Sequence, residues 1–407
     1  MTIGTAWASV LKTEIPDAFT DKNPRVPTTC FIDGQIKLNK SEHIRTWQSF
    51  LEICFIKPIE FYFAQGTKRV VLAFDNYKYV PAAKGMTQAK RNKCVVDYKF
   101  ADTDNLPSAP PENWNACMRN RVFKTKVIKL IINNLKHHFN NLEEEGCTLV
   151  LDHQTIEVYG ASWQQAALLG GENRNGESDC KAYDYVSDLE TFLIDSIDGD
   201  MIVLSLLYLN RHPNSDIFVR RIAAKTEEDK KRKKTNTRQY EFVSINHIAS
   251  FLRSSVHMQP DPITAFCSLV AMAGCDFSRN LPRVGEAKLW LMRDNLRNCD
   301  LSSVDGLLSA LTVIYRQVFQ RSVRFDKLLN TTPALEEYQA TISRIQKTEK
   351  ISPKIRQAMW LAPVAECHCK NVIWTLLYWT ERSNAPAPIC PEYGYALGKN
   401  RAPKFAV

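Results

Sequence analysis

The amino-acid sequence predicts an α/β domain with a largely parallel sheet, followed by a mostly helical C-terminal region. Two apolar runs of strand length, at residues 28–32 and 69–75, flank residues 41–63, in which apolar side chains recur at helical spacing. Strands and helices alternate in this way over the first two thirds of the chain, and such alternation is typical of parallel sheets with helical crossovers. Beyond residue 263 the pattern is mostly helical.

The same periodicities predict the other elements in chain order. A basic amphipathic helix is expected at 127–139 and a β-hairpin at 147–160. A loop rich in Gly and Asn leads into an expected helix at 178–196, which an apolar strand at 198–209 follows. Further on, the pattern predicts strands at 218–225 and 238–246, an apolar helix at 265–274 and a Pro-rich tail at 384–407.

Length and composition are those of an ordinary globular protein. A chain of 407 residues predicts two or three domains. With 44% hydrophobic and 24% charged residues, collagen-like, low-complexity and wholly disordered chains are excluded. The net charge of +9 favours a polyanionic partner.

Several features predict an intracellular protein with no membrane partner. The first charge, Lys12, follows the apolar N-terminal run, whereas an export signal requires the positive charge first. Twelve cysteines without paired spacing suit a reducing compartment. No apolar stretch approaches the roughly 20 residues that a membrane-spanning helix needs.

Seven acidic residues fall at the ends of predicted elements. If they converge, their mutual repulsion requires cations, and oxygen ligands with few histidines favour Mg²⁺ or Mn²⁺ over zinc. Two such ions about 4 Å apart can activate a water and stabilise the leaving oxygen of a phosphodiester. The alternative is that all seven are ordinary capping and turn acids. The seven residues are Asp33, Asp75, Glu177, Asp179, Asp198, Asp200 and Asp276.

Basic residues add a second pattern. Lys84 and Arg91 are seven positions apart and share one face if their segment is helical, from which they can stabilise charge on a phosphate. Arg119, Arg121 and Lys124 belong to a basic stretch that suits a nucleic-acid strand. A solvated helix face is the alternative interpretation of both groups.

The order of several motifs resembles one nuclease family. The opening segment MTIGTAWASVLKTEIPDAF is followed by FIDG, VVLAFDNYKYVPAAKGMTQAKR, GESD, SIDGDMIVL and AGCDFSRNLPRVGEAKLW. Together these segments, which reach to about residue 290, resemble those of the flap endonuclease/XPG family of structure-specific nucleases. On this resemblance the motifs supply, in order, Asp33; Asp75, Lys84 and Arg91; Glu177 and Asp179; Asp198 and Asp200; and Asp276.

The resemblance implies a PIN-like core and a division of the chain. Residues 1–125 correspond to the family's N-terminal nuclease region, 126–290 to its internal region with a helix–two-turn–helix element, and 291–407 to a helical C-terminal extension. The basic stretch takes the place of the family's helical arch. The helix–two-turn–helix element is expected to grip duplex DNA near a bound K⁺ ion through Asn280, Arg283, Gly285 and Lys288.

The resemblance also implies roles for the acids. Asp75, Glu177 and Asp179 would hold the catalytic Mg²⁺ ion, for which Mn²⁺ can substitute. Asp198, Asp200 and Asp276 would hold a second ion. Asp33 would either bind an ion directly or orient the residues that do. Lys84 and Arg91 would contact the scissile phosphate.

The predicted function is a divalent-metal-dependent nuclease that cuts flap or branched DNA in replication, recombination or repair. One alternative is an RNA-cleaving enzyme similar to herpesvirus host-shutoff nucleases, and another is a catalytically inactive scaffold that binds junctions. The nucleus is the favoured compartment, with a viral replication compartment or the cytoplasm as alternatives, and KKRKK at 230–234 suits a nuclear-import signal or a hairpin tip. The chain shows no convincing sliding-clamp motif.

Overall fold

A computed structural model describes most of the chain. The described residues are 3–38, 44–76, 106–143, 145–160, 177–223, 240–275, 278, 280–326, 332–381, 393, 395–397 and 403–405. Lys84, Arg91, Asp276 and residues 230–234 lie outside them. Within these ranges, no helix has the length and apolar character needed to cross a membrane.

Eight of the described strands form one mixed sheet. They are β1 Phe19–Thr20, β2 Thr29–Asp33, β3 Arg69–Ala73, β4 Thr148–Asp152, β5 Ile156–Gly160, β6 Thr191–Asp195, β7 Asp216–Ile222 and β8 Tyr240–Ser244. Their spatial order is β1-β8-β7-β6-β2-β3-β4-β5. The five central strands, from β7 to β4, run parallel, and antiparallel strands flank them on both sides. The structure is therefore α/β with a mostly parallel sheet, as the sequence predicts. A separate antiparallel pair joins β9 Tyr395–Leu397 to β10 Pro403–Phe405.

Helices cover both faces of the sheet. The N-terminal half contains α1 Ile3–Glu14, α2 Gly34–Lys37, α3 Trp47–Leu51, α4 Lys57–Ala64, α5 Trp114–Cys117, α6 Arg121–His138, α7 Ser178–Lys181 and α8 Asp200–Arg211. The C-terminal half contains α9 Ile245–Ser255, α10 Pro262–Ala273, α11 Glu286–Leu291, α12 Val304–Phe319, α13 Ala334–Lys347, α14 Pro353–Ala358 and α15 Ala362–Glu381. A π-helical segment, Glu52–Ile56, joins α3 to α4.

Each face of the sheet packs against its own helical layer. Side chains alternate along a strand, so in β2 Phe31 contributes to a core with α1, α8 to α10 and the C-terminal helices. Cys30 and Ile32 contribute to a second core with α3 to α6. This two-sided burial explains why the central strands are continuous apolar runs.

The strand order creates a switch point between β2 and β6. From β2 the chain continues through β3 and β4 to one side, and from β6 it continues through β7 to the other. In open α/β sheets, ligands bind in the crevice that such a point opens at the carboxyl ends of the strands. Asp33 ends β2 there, and Asp195, which ends β6, pairs in register with Ile32.

Two predicted elements are wrong. The helix expected at 178–196 ends at Lys181, is followed by a 3₁₀ turn, and gives way to the central strand β6. The apolar strand expected at 198–209 is instead the helix α8. Every residue from Met201 to Leu207 is buried, so this helix has no polar face, and periodicity cannot separate such a segment from a buried strand.

The other predicted strands are confirmed to within a few residues. β2 and β3 match the runs at 28–32 and 69–75, and β4 pairs with β5 as the predicted hairpin. The basic helix extends further in the N-terminal direction than expected, because Asn120 caps α6 by accepting hydrogen bonds from the amides of Val122 and Phe123.

Candidate metal centre

Asp33 lies at the centre of an acidic cluster at the switch point. It is the last residue of β2 and the N-cap of α2, where its Oδ1 accepts a 3.0 Å hydrogen bond from the amide of Gln35. Two serine hydroxyls from distant segments donate to the same carboxylate: Ser178 to Oδ1 at 2.9 Å and Ser196 to Oδ2 at 3.3 Å. Asp33 thus joins the start of α7 to the segment that follows β6.

The start of α7 brings further acids to this point. The amide of Ser178 donates a 2.9 Å hydrogen bond to Oδ1 of Asp75, which follows β3 by two residues. Glu177 occupies the N-cap position of α7, yet its side chain makes no capping hydrogen bond. Potential ligand atoms of Glu177, Asp179 and Cys180 all lie within 4.8 Å of one another. Capping therefore does not account for Glu177.

The segment after β6 supplies the last two described acids. The amide of Asp198 donates to Ser196 Oγ at 3.2 Å, and the amide of Asp200 donates to Asp198 Oδ1 at 3.1 Å. Asp200 is the first residue of α8. Because Ser196 contacts both Asp33 and Asp198, one hydroxyl ties the two acids together.

The electrostatics of Asp33 show that these acids share one site. The pKa of Asp33 is raised to about 7, mainly by burial and then by the negative charges of Asp75 and Asp179. The charge of Asp198 contributes less to this rise, and the Ser178 hydrogen bond opposes it. Among the described residues, no Lys or Arg forms a salt bridge with Asp33.

The donor set fits a hard divalent cation. Carboxylate oxygens at the mouth of a crevice are the ligands that Mg²⁺ and Mn²⁺ prefer. A bound cation would replace the proton that burial and repulsion favour on Asp33. Cys180, whose sulfur lies near the acids of α7, is buried, and its Sγ lies 3.9 Å from the Tyr378 hydroxyl oxygen.

The structure thus brings together six of the seven predicted acids at the carboxyl ends of the central strands. Asp33, Asp75, Asp179 and Asp198 are linked by charge, whereas hydrogen bonds and chain adjacency join Glu177 and Asp200 to them. The seventh acid, Asp276, and both predicted phosphate-contacting residues, Lys84 and Arg91, lie outside the described residues.

The predicted nucleic-acid contacts occupy two other surfaces. Arg119 and Arg121 are exposed and Lys124 is partly buried where α6 begins, away from the C-terminal helices. The turn before α11 exposes Asn280, Arg283 and Gly285, and α11 itself exposes Lys288.

Backbone geometry in this turn is constrained at two points. Arg283 has a positive φ of 66°, and Gly274 a φ of 118°. A Cβ on Gly274 would meet Asn280 Oδ1 at 2.1 Å, so only glycine fits there. By contrast, a Cβ on Gly285 would have nothing within 4 Å, which leaves this backbone open to an approaching phosphate.

Two buried acid–base networks beside the cluster were not predicted. Lys181, only 1% exposed, donates to Asp152 Oδ1 at 2.8 Å and to the carbonyls of Phe74 at 2.8 Å and His153 at 3.2 Å. The Tyr185 hydroxyl donates to the other oxygen of Asp152 at 2.7 Å. Burial, and then the charge of Lys181, lowers the pKa of His153 to about 4, which keeps the imidazole neutral.

The second network surrounds Asp195. Lys37 and the Tyr62 hydroxyl donate to its Oδ2 at 2.9 and 3.0 Å, and Arg220 donates to its Oδ1 at 3.1 Å. Burial alone would raise the pKa of Asp195, but the charges of Lys37 and Arg220 outweigh it and lower the pKa below its ordinary value. The apolar run TFLID closes with Asp195, a pattern that could have predicted a carboxylate at a strand end. It was missed because the sequence pattern predicted a helix over these residues.

No family model matches the chain, and no curated protein matches its sequence at a significant level. The contacts and charges of the acidic cluster must therefore carry the functional assignment.

Proposed function

We propose that this protein is a divalent-metal-dependent nuclease with a PIN-like core that hydrolyses phosphodiesters at flap or branched DNA junctions. The observation that carries the proposal is Asp33, a buried carboxyl surrounded by other acids at the switch point of the sheet. Such a concentration of negative charge is unfavourable unless cations occupy it. The sheet order and the motif order both suit a nuclease of the flap endonuclease/XPG kind.

The ligand roles follow the elements that carry the acids. Asp75, Glu177 and Asp179 meet at the start of α7 and would hold one Mg²⁺ or Mn²⁺ ion. Asp198 and Asp200 at the start of α8 would contribute to a second, with Asp276 as a further ligand. When bound, such ions lower the pKa of water and stabilise negative charge on phosphate oxygens.

The chain's own residues position these groups for hydrolysis. Ser178 and Ser196 fix the orientation of Asp33, and the amide of Ser178 fixes that of Asp75. In the reaction, a water oxygen forms a bond to phosphorus as the bond between phosphorus and the 3′ oxygen breaks. The water releases a proton, the 3′ oxygen gains one, and the products are a 5′-phosphate and a 3′-hydroxyl. Lys84 and Arg91 would contact the scissile phosphate and stabilise its added charge.

The experiment compares cleavage by three proteins. Purified wild type, the Asp198→Asn/Asp200→Asn variant and an Asp216→Asn control are incubated with labelled 5′-flap DNA and with RNA of the same sequence, in Mg²⁺ or in EDTA. Asp216 is the matched control because it begins β7, at the sheet edge opposite the acids, and pairs with Arg25. Its substitution removes one carboxylate charge at a remote position, against two in the double variant.

We expect cutting near the junction only with Mg²⁺. In the double variant the cleavage rate should fall by more than about 100-fold, since mutation of residues that merely support a metal ligand already lowers activity by up to that factor. The control should retain wild-type activity. Preferred cutting of the RNA would replace the DNA assignment with the endoribonuclease alternative. Tight binding without cleavage in Mg²⁺ or Mn²⁺ would contradict the enzyme and leave a scaffold.

A further inference from the structure

A cavity of about 630 Å³ adjoins the candidate metal centre on its β6–β7 side. Lys37 lines it from the end of α2, the helix that Asp33 caps, and Ile197 lines it directly before Asp198. Asp195, which Lys37 contacts, is in register with Ile32, so the cavity opens at the same end of the strands as Asp33, towards the helical layer of α3 to α6. Its volume is in the range of cavities that bind small molecules.

The cavity has a cationic wall. Lys37 and Arg220 both contact the single carboxylate of Asp195, so the three charges sum to one excess positive charge. Both side chains are partly exposed, at 18% and 20%. An ammonium has three N–H donors and a guanidinium has five, so the hydrogen bonds to Asp195 and Tyr62 leave donors for an anion.

Aromatic rings also line the cavity beside these cations. The Arg220 guanidinium carbon lies 3.8 Å from the centre of the Tyr240 ring, which fixes that ring beside the cations. Tyr240 and Phe61 are 36% and 54% exposed, an unusual amount for aromatic rings of a cavity. Exposed rings beside cationic groups are the combination with which proteins bind unpaired nucleotides, because bases stack on the rings while the cations contact phosphates.

The cationic surface continues away from the acids. Asn115 lines both this cavity and a neighbouring one of about 600 Å³. Arg45, Arg119 and Glu112 line the second cavity, so its charged residues sum to one net positive charge. A strand that passes through the first cavity would therefore meet further positive charge in the second.

We propose that this cavity, lined by Lys37, Phe61, Arg220 and Tyr240, binds one unpaired nucleotide of the strand whose neighbouring phosphodiester lies at the acidic cluster. The base stacks on Tyr240 and Phe61, and the adjoining phosphate contacts Lys37 and Arg220. This inference rests on the proposed nuclease function, since it identifies where that enzyme holds its substrate next to the cleavage site.

The test scans abasic positions through the substrate. Binding of fluorescein-labelled 5′-flap DNA, and of the corresponding RNA, is measured in EDTA with single abasic sites at each of the four nucleotides on both sides of the junction. The full-length proteins are wild type, Tyr240→Ala, Tyr240→Phe and Phe61→Ala. Leu361→Ala serves as the control because Leu361 is 58% exposed and lies next to the C-terminal helix α15, outside the cavity lining.

We expect one abasic position to weaken wild-type binding about tenfold, within the range for the loss of one base–aromatic stack. Tyr240→Ala should weaken binding of the intact substrate by a similar factor and should be insensitive to that abasic site. Tyr240→Phe keeps the ring and should bind as wild type does, as should Leu361→Ala. The cavity binds the strand, DNA or RNA, whose sensitivity to the abasic site depends more strongly on Tyr240.

The outcomes separate this inference from the nuclease assignment. If abasic sensitivity depends on Tyr240 but no cleavage follows in Mg²⁺, the nucleotide site stands and the nuclease falls. If cleavage occurs but neither Tyr240→Ala nor Phe61→Ala alters the abasic profile, the nuclease stands and the nucleotide site is wrong. A wild-type protein that is equally tolerant of every abasic position, or that binds neither strand, also overturns the site.

Discussion

Asp33 and Asp195 end neighbouring strands of the sheet, and both are buried, but their surroundings are opposite in charge. Asp195 receives hydrogen bonds from Lys37, Arg220 and Tyr62, and its pKa lies below the ordinary value. Asp33 receives hydrogen bonds from uncharged donors only, among the described residues, and burial beside other acids raises its pKa to about 7.

Asp152, which ends β4, resembles Asp195 rather than Asp33. It also has a buried cation, Lys181, and a tyrosine hydroxyl, that of Tyr185. Of the three carboxylates that end strands here, Asp152 and Asp195 are therefore neutralised by the protein itself, and Asp33 is not. A lysine neutralises Asp152 and another neutralises Asp195, whereas Asp33 lies among acids, and this contrast supports the proposal that an external cation completes the site at Asp33.

The largest effect on stability is expected from Lys181→Met. The substitution leaves Asp152 buried without its cation, and breaking a buried pair in this way typically destabilises a protein by about 3–5 kcal/mol. The free energy of unfolding in urea measures the loss. The Lys181→Met/Asp152→Asn variant should recover most of it, because no buried charge remains. Equal stability of the single and double variants would contradict the pairing.

A smaller loss is expected from Asp195→Asn. Hydrogen bonds to charged groups contribute about 1.5–3 kcal/mol, but Lys37 and Arg220 are each about one-fifth exposed and can turn towards water. We therefore expect a loss of about 2 kcal/mol in the same urea assay, with Asp216→Asn as the control. No loss would show that the Asp195 network does not stabilise the fold.

At pH 8, Asp33→Asn should have the opposite sign in metal-free protein, with a magnitude of the order of 1 kcal/mol, because relief of the unfavourable buried charge is partly offset by the loss of hydrogen bonds to the carboxylate. The ordinary pKa of 3.8 is raised to about 7 in the fold, so between these values the native state holds a proton that the unfolded chain has released. Stability due to Asp33 is thus present at low pH and is lost as the pH rises through about 7.

The pH dependence provides the measurement for this variant. Unfolding of wild type and Asp33→Asn is compared at pH 5 and pH 8 in EDTA. The variant should gain stability relative to wild type between the two values, since an amide does not ionise. A difference that stays constant with pH, or that favours wild type at pH 8, would show that Asp33 does not carry the raised pKa.

The sequence predicts the ends of β2 and β3 well, and with them Asp33 and Asp75, because each Asp closes an apolar run. It does not predict β6, and therefore misses Asp195, because the residues before TFLID favour a helix and the following apolar helix α8 imitates a strand. Lys181 and Asp152 are 29 residues apart in the sequence. The register of β3 and β4 places Asp152 beside Ala73, and Lys181 reaches this point by donating also to the carbonyl of Phe74. Such neutralising contacts are tertiary and leave no local pattern.

The most direct test of the cation site is a titration with Mn²⁺, with free Mn²⁺ followed by electron paramagnetic resonance. We expect that wild type removes Mn²⁺ from solution, that Mg²⁺ displaces it, and that Asp216→Asn behaves as wild type does. The Asp75→Asn/Asp198→Asn variant, folded by circular dichroism, should bind at least about 100-fold more weakly. Wild-type protein that leaves millimolar Mn²⁺ free, or a variant that binds it equally well, would contradict a metal centre at Asp33.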